Sequence, residues 1–156
     1  MSSDKLAITD DMREIVRRAI LCFVATVNED GTPNLSPKAS LMFRGDELLF
    51  ANIASPQTVW NIRRNPAVEI NVVDFLARRG YRFGGRATIL APEDEAFRDV
   101  AAWVKSTNGE IYPVFDVIRI DIATVRPVLS PAYTIGGVDE TTLTESYRRK
   151  YGASGT

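Results

Sequence analysis

The spacing of apolar residues changes several times along the chain, and each change marks an element. Met12, Ile15, Val16 and Ala19 recur at three- and four-residue intervals. Thr9, Asp10 and Asp11 precede them and suit a helix start, so a short amphipathic helix is predicted there. Ile20 to Val27 is almost wholly apolar and runs into Asn28-Glu29-Asp30-Gly31, whose Asp-Gly pair is a strong hairpin signal. The returning strand is predicted over Thr32 to Phe43. Arg44-Gly45-Asp46 turns the chain into a third strand, Glu47 to Ile53. Ser55 then suits an N-cap and Pro56 the first position of a helix that runs to Arg64 and stops at Asn65-Pro66.

The second half repeats these signals. Val68, Ile70 and Val72 alternate with Glu69 and Asn71 as in a half-buried strand, and Gly80 turns the chain into a further strand, Tyr81 to Leu90. Pro92-Glu93-Asp94-Glu95 opens a helix with acidic residues at its positive end and Phe97, Val100, Ala101 and Val104 as its buried stripe. Phe115 to Ile122 is a clear strand, and a last short helix from Asp139 carries Leu143 and Tyr147. No repeat, linker or domain boundary interrupts the chain. The expected architecture is mainly β, or α+β by helix content, with six or seven antiparallel strands closing into a small barrel flanked by short helices. It occupies 1–156 as a single domain with loose ends at 1–10 and 150–156.

Composition narrows the chemistry. The 156 residues contain no histidine and a single cysteine, Cys22, so a histidine-dependent triad, a histidine-ligated zinc or haem iron and an intrachain disulfide are excluded. An enzyme built this way would draw its reactive group from a cofactor. The 19 basic residues balance 20 acidic ones at a pI near 5.5, which offers no electrostatic footprint for nucleic acid. Arg78, Arg79, Arg82 and Arg86 read as a solvated hairpin end. No apolar run is long enough for a membrane span, and the polar start is not a signal peptide, so a cytoplasmic protein is expected.

Three segments carry candidate chemistry. Ser36-Pro37-Lys38-Ala39-Ser40 sits within a strand, yet proline cannot donate to a sheet ladder. Pro37 therefore marks either an edge or a place where something approaches the backbone. In Phe50-Ala51-Asn52-Ile53-Ala54-Ser55-Pro56-Gln57-Thr58 a strand enters a helix. Its first turn offers free N–H groups, the positive end of the helix dipole and two hydroxyls, which suits either a phosphate or an ordinary capped helix. Asn61-Ile62-Arg63-Arg64-Asn65-Pro66 is a polar helix end ahead of a valine-rich strand.

Taken in order, these segments resemble the pyridoxamine 5'-phosphate oxidase-like superfamily of FMN-binding split barrels. The likeness includes the hairpin from Phe23 to Pro33, the Ser-Pro-Lys strand, the Phe-Ala-Asn strand, the Asn61 to Pro66 helix end and Gly84-Gly85-Arg86-Ala87. It covers roughly Ile15 to Leu90 and weakens beyond Pro92. The resemblance implies that Ser36, Pro37, Lys38, Ala39 and Ser40 face the flavin ring and ribityl chain, with Ala51, Asn52 and Ile53 alongside. It places the phosphate at Ser55, Gln57 and Thr58, with Asn61 one turn later. It further implies a homodimer with flavin at the subunit interface.

Departures from the family pattern qualify the activity. Gln57 and Thr58 stand where relatives often carry arginine or lysine, and Lys38 is the candidate to supply that charge. The chain lacks the histidine with which true oxidases hold the substrate phosphate. The expected function is therefore an FMN-dependent oxidoreductase of an unidentified small molecule. A non-catalytic flavin-binding or electron-carrier protein and a deazaflavin-dependent reductase are the alternatives. Tyr81, Tyr112 and Tyr133 are weak candidates for proton transfer, and Trp60 and Trp103 read as core or interface.

Overall fold

The computed structural model describes residues 6–152. Residues 1–5 and 153–156, which make up much of the expected loose ends, lie outside the described residues. Among the described residues seven strands form one antiparallel sheet: β1 Cys22–Val27, β2 Pro33–Lys38, β3 Met42–Arg44, β4 Glu47–Asn52, β5 Ala67–Asp74, β6 Arg79–Ile89 and β7 Asp116–Leu129. The order is β2-β1-β5-β6-β7-β4-β3, and its two edges are not hydrogen-bonded to each other. The fold is a split barrel. Five helices accompany the strands among the described residues: α1 Asp10–Arg18, α2 Pro56–Arg64, α3 Glu95–Asn108, α4 Pro131–Thr134 and α5 Glu140–Lys150.

Helix starts follow the local chemistry closely. The side chains of Thr9, Asp94 and Asp139 each accept a backbone N–H from the first turn of α1, α3 and α5, at 3.2, 2.9 and 3.0 Å. Residues 8–9 lead into α1, while Leu6 and Ile8 border a cavity with Ile120 and Ile122 of β7. The short α4 has no counterpart in the sequence expectation.

One predicted strand is two. Thr32 to Phe43 was expected to run unbroken, but β2 ends at Lys38, which lies opposite Cys22, the first residue of β1. With no partner beyond Cys22 the ladder stops. The chain then crosses residues 39–41 to the opposite edge and resumes as β3 against β4. Ser40 bridges the crossing with its side chain: Oγ accepts from Ala51 N at 3.0 Å and donates to Ala51 O at 3.3 Å. Pro37 thus sits in an edge strand, where no partner needs its missing N–H.

The turn between β5 and β6 also differs from expectation. Asp74 Oδ1 accepts from the amides of Leu76 and Ala77 at 3.0 and 3.1 Å, and Arg78 takes a left-handed φ of 56°, so the chain reverses before Gly80. Gly80 belongs to β6. A Cβ there would stand 1.8 Å from Val72 O, so glycine permits the close approach of β5 and β6. Likewise β7 is longer than the Phe115 to Ile122 segment. Beyond Ile120 it pairs with β6 alone, which leaves a free edge and admits Pro127.

Two apolar clusters hold the sheet. The larger joins Ile15 and Val16 of α1 and Val59 and Ile62 of α2 to Val24, Leu48, Phe50, Ile70, Val72, Phe83, Ile118 and Ile120. The smaller joins Ala96, Val100 and Val104 of α3 to Leu49, Ala51 and Val117. With α3 on one face and the barrel interior on the other, β4 is buried from Leu48 to Asn52, which explains its unbroken apolar run.

Arg79 is not part of a solvated hairpin end. It pairs with both oxygens of Asp11 at 2.9 Å and with Glu140 at 2.7 Å, fastening α1 and α5 to β6. Tyr81 donates its hydroxyl to the same Asp11 carboxylate.

Candidate functional site

The end of β2, the crossing that follows it, the end of β4 and the last turns of α3 surround a cavity of about 340 Å³. Eight of the twelve residues selected from the sequence line it: Ser36, Pro37, Lys38, Ala39, Ser40, Ala51, Ile53 and Ser55. They meet because β2 and β4 lie near opposite sheet edges that the 39–41 crossing ties together. Ala54, Val104 and Asn108 complete the lining. Val104 was visible as part of the apolar stripe of its helix, but no local signal connects Asn108 to the strand at 36–40.

Lys38 is the charged group of this cavity. It is only 8% exposed, and its ammonium donates to Ser36 Oγ at 3.0 Å and to Ser55 Oγ. Its Nζ lies over the Phe50 ring, 5.9 Å from the centroid. Among the described residues it has no carboxylate partner. Burial accordingly pushes the Lys38 ammonium below the ordinary lysine value. A buried cation that meets only hydroxyls is an arrangement completed by an anion.

Ser55 does not cap α2. Its hydroxyl donates to Asn52 Oδ1 at 3.0 Å, and its backbone N–H donates to the same oxygen at 2.9 Å. The first turn of α2 therefore has no side-chain cap, and its positive end remains available to a ligand. Asn52 lies behind the cavity wall and donates Nδ2 to Asp116 Oδ2 at 2.7 Å, a contact set by the register in which Asn52 faces Asp116.

The remaining three residues are elsewhere. Thr58 and Asn61 are 1% and 0% exposed and face β1 and β2. Asn61 donates to Thr26 Oγ1 at 3.0 Å and to Asn28 Oδ1 at 2.9 Å, and it accepts from Gln57 Nε2 at 2.9 Å. Asn34 donates to Thr26 Oγ1 at 3.1 Å and to Thr58 Oγ1 at 3.4 Å. This network fixes α2 against the first hairpin. The exposed Gln57 borders a separate surface hollow with Asn28 and Asp30.

The other candidates resolve as follows. Tyr81 and Tyr133 donate to Asp11 and to the Ala77 carbonyl, so both hydroxyls serve the fold. The buried Cys22 thiol is pushed up to about 12 by desolvation and is no nucleophile at neutral pH. Trp60 is 59% exposed and, with Phe115, flanks a second cavity of about 500 Å³ beyond Asn52 and Ile53. Among the described residues no cluster of acidic and cysteine side chains is arranged to hold a metal. None of their helices is long and apolar enough to cross a membrane.

Comparison with known proteins agrees with this architecture. A family model, pyridoxamine 5'-phosphate oxidase, matches residues 8–129. The crystal structure of HupZ from Group A Streptococcus is 30% identical with a TM-score of 0.70, covering 80% of this chain and 96% of its own. An FMN-binding protein from Syntrophomonas wolfei is 19% identical with a TM-score of 0.63, covering 77% and 90%. HutZ, the heme storage protein from Vibrio cholerae, is 21% identical with a TM-score of 0.58, covering 80% and 95%. The search of curated proteins finds no match.

Proposed function

The chain belongs to the pyridoxamine 5'-phosphate oxidase family, and from that premise we propose that it binds FMN in the cavity beside Lys38 and works as an FMN-dependent oxidoreductase on a small molecule. The observation that carries this reading is the buried Lys38 ammonium, without a carboxylate, next to the uncapped start of α2. Lys38, Ser36 and Ser55, with the first-turn amides of Gln57 and Thr58, would hold the anionic part of the cofactor. Pro37, Ala39, Ser40, Ala51 and Ile53 would line its flat and ribityl portions, with Asn52 holding the wall behind them. Asn61 keeps α2 in place. Bound FMN supplies hydride and single-electron chemistry, and the protein's part is to bind, orient and electrostatically tune it.

The absence of histidine argues against oxidation of pyridoxamine phosphate itself, since the family's true oxidases use one for the substrate phosphate. It equally removes the usual haem ligand, and the buried Cys22 thiol does not replace it. The proposal includes a cytoplasmic homodimer that completes each flavin site from both chains.

The visible spectrum of the purified protein, with mass identification of whatever it releases, tests the reading. A flavin spectrum and the mass of FMN are expected. A deazaflavin mass would reassign the cofactor, and colourless protein that gains no spectrum with added FMN would overturn the proposal. Steady oxidation of NADH or NADPH separates an enzyme from a carrier.

A further inference from the structure

A continuous hydrogen-bonded chain runs from Lys38 away from the cavity. Lys38 donates to Ser55 Oγ, Ser55 Oγ donates to Asn52 Oδ1, and Asn52 Nδ2 donates to Asp116 Oδ2. The Arg63 guanidinium stands 3.6 Å from Asp116 Oδ1. The direction of the links is fixed from both ends, by Asp116, which only accepts, and by the Ser55 backbone N–H and the Lys38 ammonium, which only donate. A carboxylate only accepts, so the amide of Asn52 must turn its NH2 toward Asp116 and its oxygen toward Ser55. That oxygen requires a donor, and both the hydroxyl and the backbone N–H of Ser55 meet it. With its proton committed to Asn52, the Ser55 hydroxyl presents only lone pairs to Lys38.

We propose that Asp116 is a positioning residue: through Asn52 and Ser55 it fixes the hydroxyl acceptor that holds the Lys38 side chain as an ammonium at the cavity wall. The inference rests on the reading of the cavity as an anionic cofactor's site, and it adds a residue from the far side of β4 to that site's machinery. Asp116 touches neither the cavity nor Lys38. It acts only by orienting what does.

The surroundings of Lys38 make such control effective. β1 offers the neutral Cys22 thiol, β2 the Ser36 hydroxyl, β4 the Phe50 ring, and the segment before α2 the Ser55 hydroxyl. Among the described residues no other charged group faces the ammonium, so two hydroxyls are its solvation. In Asp116→Asn the Asn52 NH2 loses its anionic acceptor, so Asn52 is held from the Ser55 side alone, where the backbone N–H and the hydroxyl of Ser55 meet its oxygen. The hydroxyl acceptor opposite Lys38 is then less firmly fixed, and the ammonium is less well held.

The test follows the Lys38 Cε–Hε signal by NMR through a pH titration of the full-length, flavin-free protein, the signal being assigned by its loss in Lys38→Met. Lys38 is expected to lose its proton at lower pH in Asp116→Asn than in the wild type. Arg63→Gln, which spares the carboxylate–amide bond, is expected to leave it nearly unmoved. FMN titration supplies the second readout. Asp116→Asn should weaken binding by roughly tenfold, and should weaken it no further in a Lys38→Met background. An unmoved Lys38 titration in Asp116→Asn overturns the proposal whether or not FMN binds. A moved titration in a protein that does not bind FMN upholds the positioning role and removes the flavin reading. If Asp116→Asn does not fold, Asn52→Ala cuts the same chain, and an unmoved Lys38 there overturns the proposal equally.

Discussion

Ser55 Oγ donates to Asn52 Oδ1 at 3.0 Å and accepts from Lys38, so one hydroxyl joins β4 to β2 across the floor of the cavity. The same geometry takes it away from the start of α2, which has no side-chain cap. Ser55→Ala should therefore leave α2 intact, with unchanged far-UV circular dichroism. The lost hydrogen bonds should lower the unfolding free energy by about 1 kcal/mol. FMN binding should weaken by about tenfold, as expected for removing one bond to a charged group. A selective loss of helicity would show that Ser55 caps the helix in solution.

The parts of this site that were legible in the sequence are those with local causes. A proline within a strand at Pro37, a Ser-Pro junction at Ser55 and a buried strand at Leu48 to Asn52 each announce themselves within a few residues. The two-strand nature of 32–43 was not legible, because its apolar alternation continues after its partner has run out at Cys22. Asp116 and Asn108 were invisible for a different reason. Only the register of β4 with β7, and the packing of α3 on β4, bring them within reach of residues more than 50 positions earlier. The family resemblance implies Thr58 at the phosphate, but the first hairpin covers its side chain, so Thr58→Glu would bury a carboxylate rather than probe an anion site.

Asn61 carries the attachment of α2. It is fully buried and makes three side-chain hydrogen bonds, to Thr26, Asn28 and Gln57. Asn61→Ala removes three hydrogen bonds, leaves the buried Thr26 hydroxyl with Asn34 as its donor and opens a small void, which should cost about 2–3 kcal/mol in urea unfolding. Because the side chain does not line the cavity, the FMN dissociation constant of the folded variant should change by no more than about twofold. A collapse of binding in a stable variant would place Asn61 on the ligand.

Asp11 gives the fold an acid-sensitive clasp. Hydrogen bonds from Arg79 and then from Tyr81 lower its carboxyl from 3.8 to about 2. A depressed carboxyl stabilises the folded state above its ordinary value, and that contribution disappears as pH falls from about 4 through 2. The side chain is 45% exposed, so solvent screening reduces the contribution to about 1 kcal/mol. Asp11→Asn should lower stability by that amount at pH 7. The gap from the wild type should narrow progressively as denaturation is repeated toward pH 2. A gap that stays constant with pH would assign the loss to packing.

If FMN occupies the proposed site, its affinity should fall at alkaline pH because of Lys38. Its ammonium attracts an anionic ligand only while protonated, and burial lowers its proton affinity below the ordinary 10.5. Affinity should therefore hold through neutral pH and decline before 10.5 is reached. The phosphate of FMN contributes nothing to this limb, since its second ionisation is complete above about pH 7. The neighbouring Cys22 thiol, at about 12, does not ionise in the same range. Replacing Lys38 with glutamine should weaken binding at pH 7 and remove its part of the decline together. The comparison is read from fluorescence titrations of FMN at pH 7, 8, 9 and 10, because the two effects share one proton. An unaltered alkaline decline in Lys38→Gln would assign it to another group and detach Lys38 from the anion.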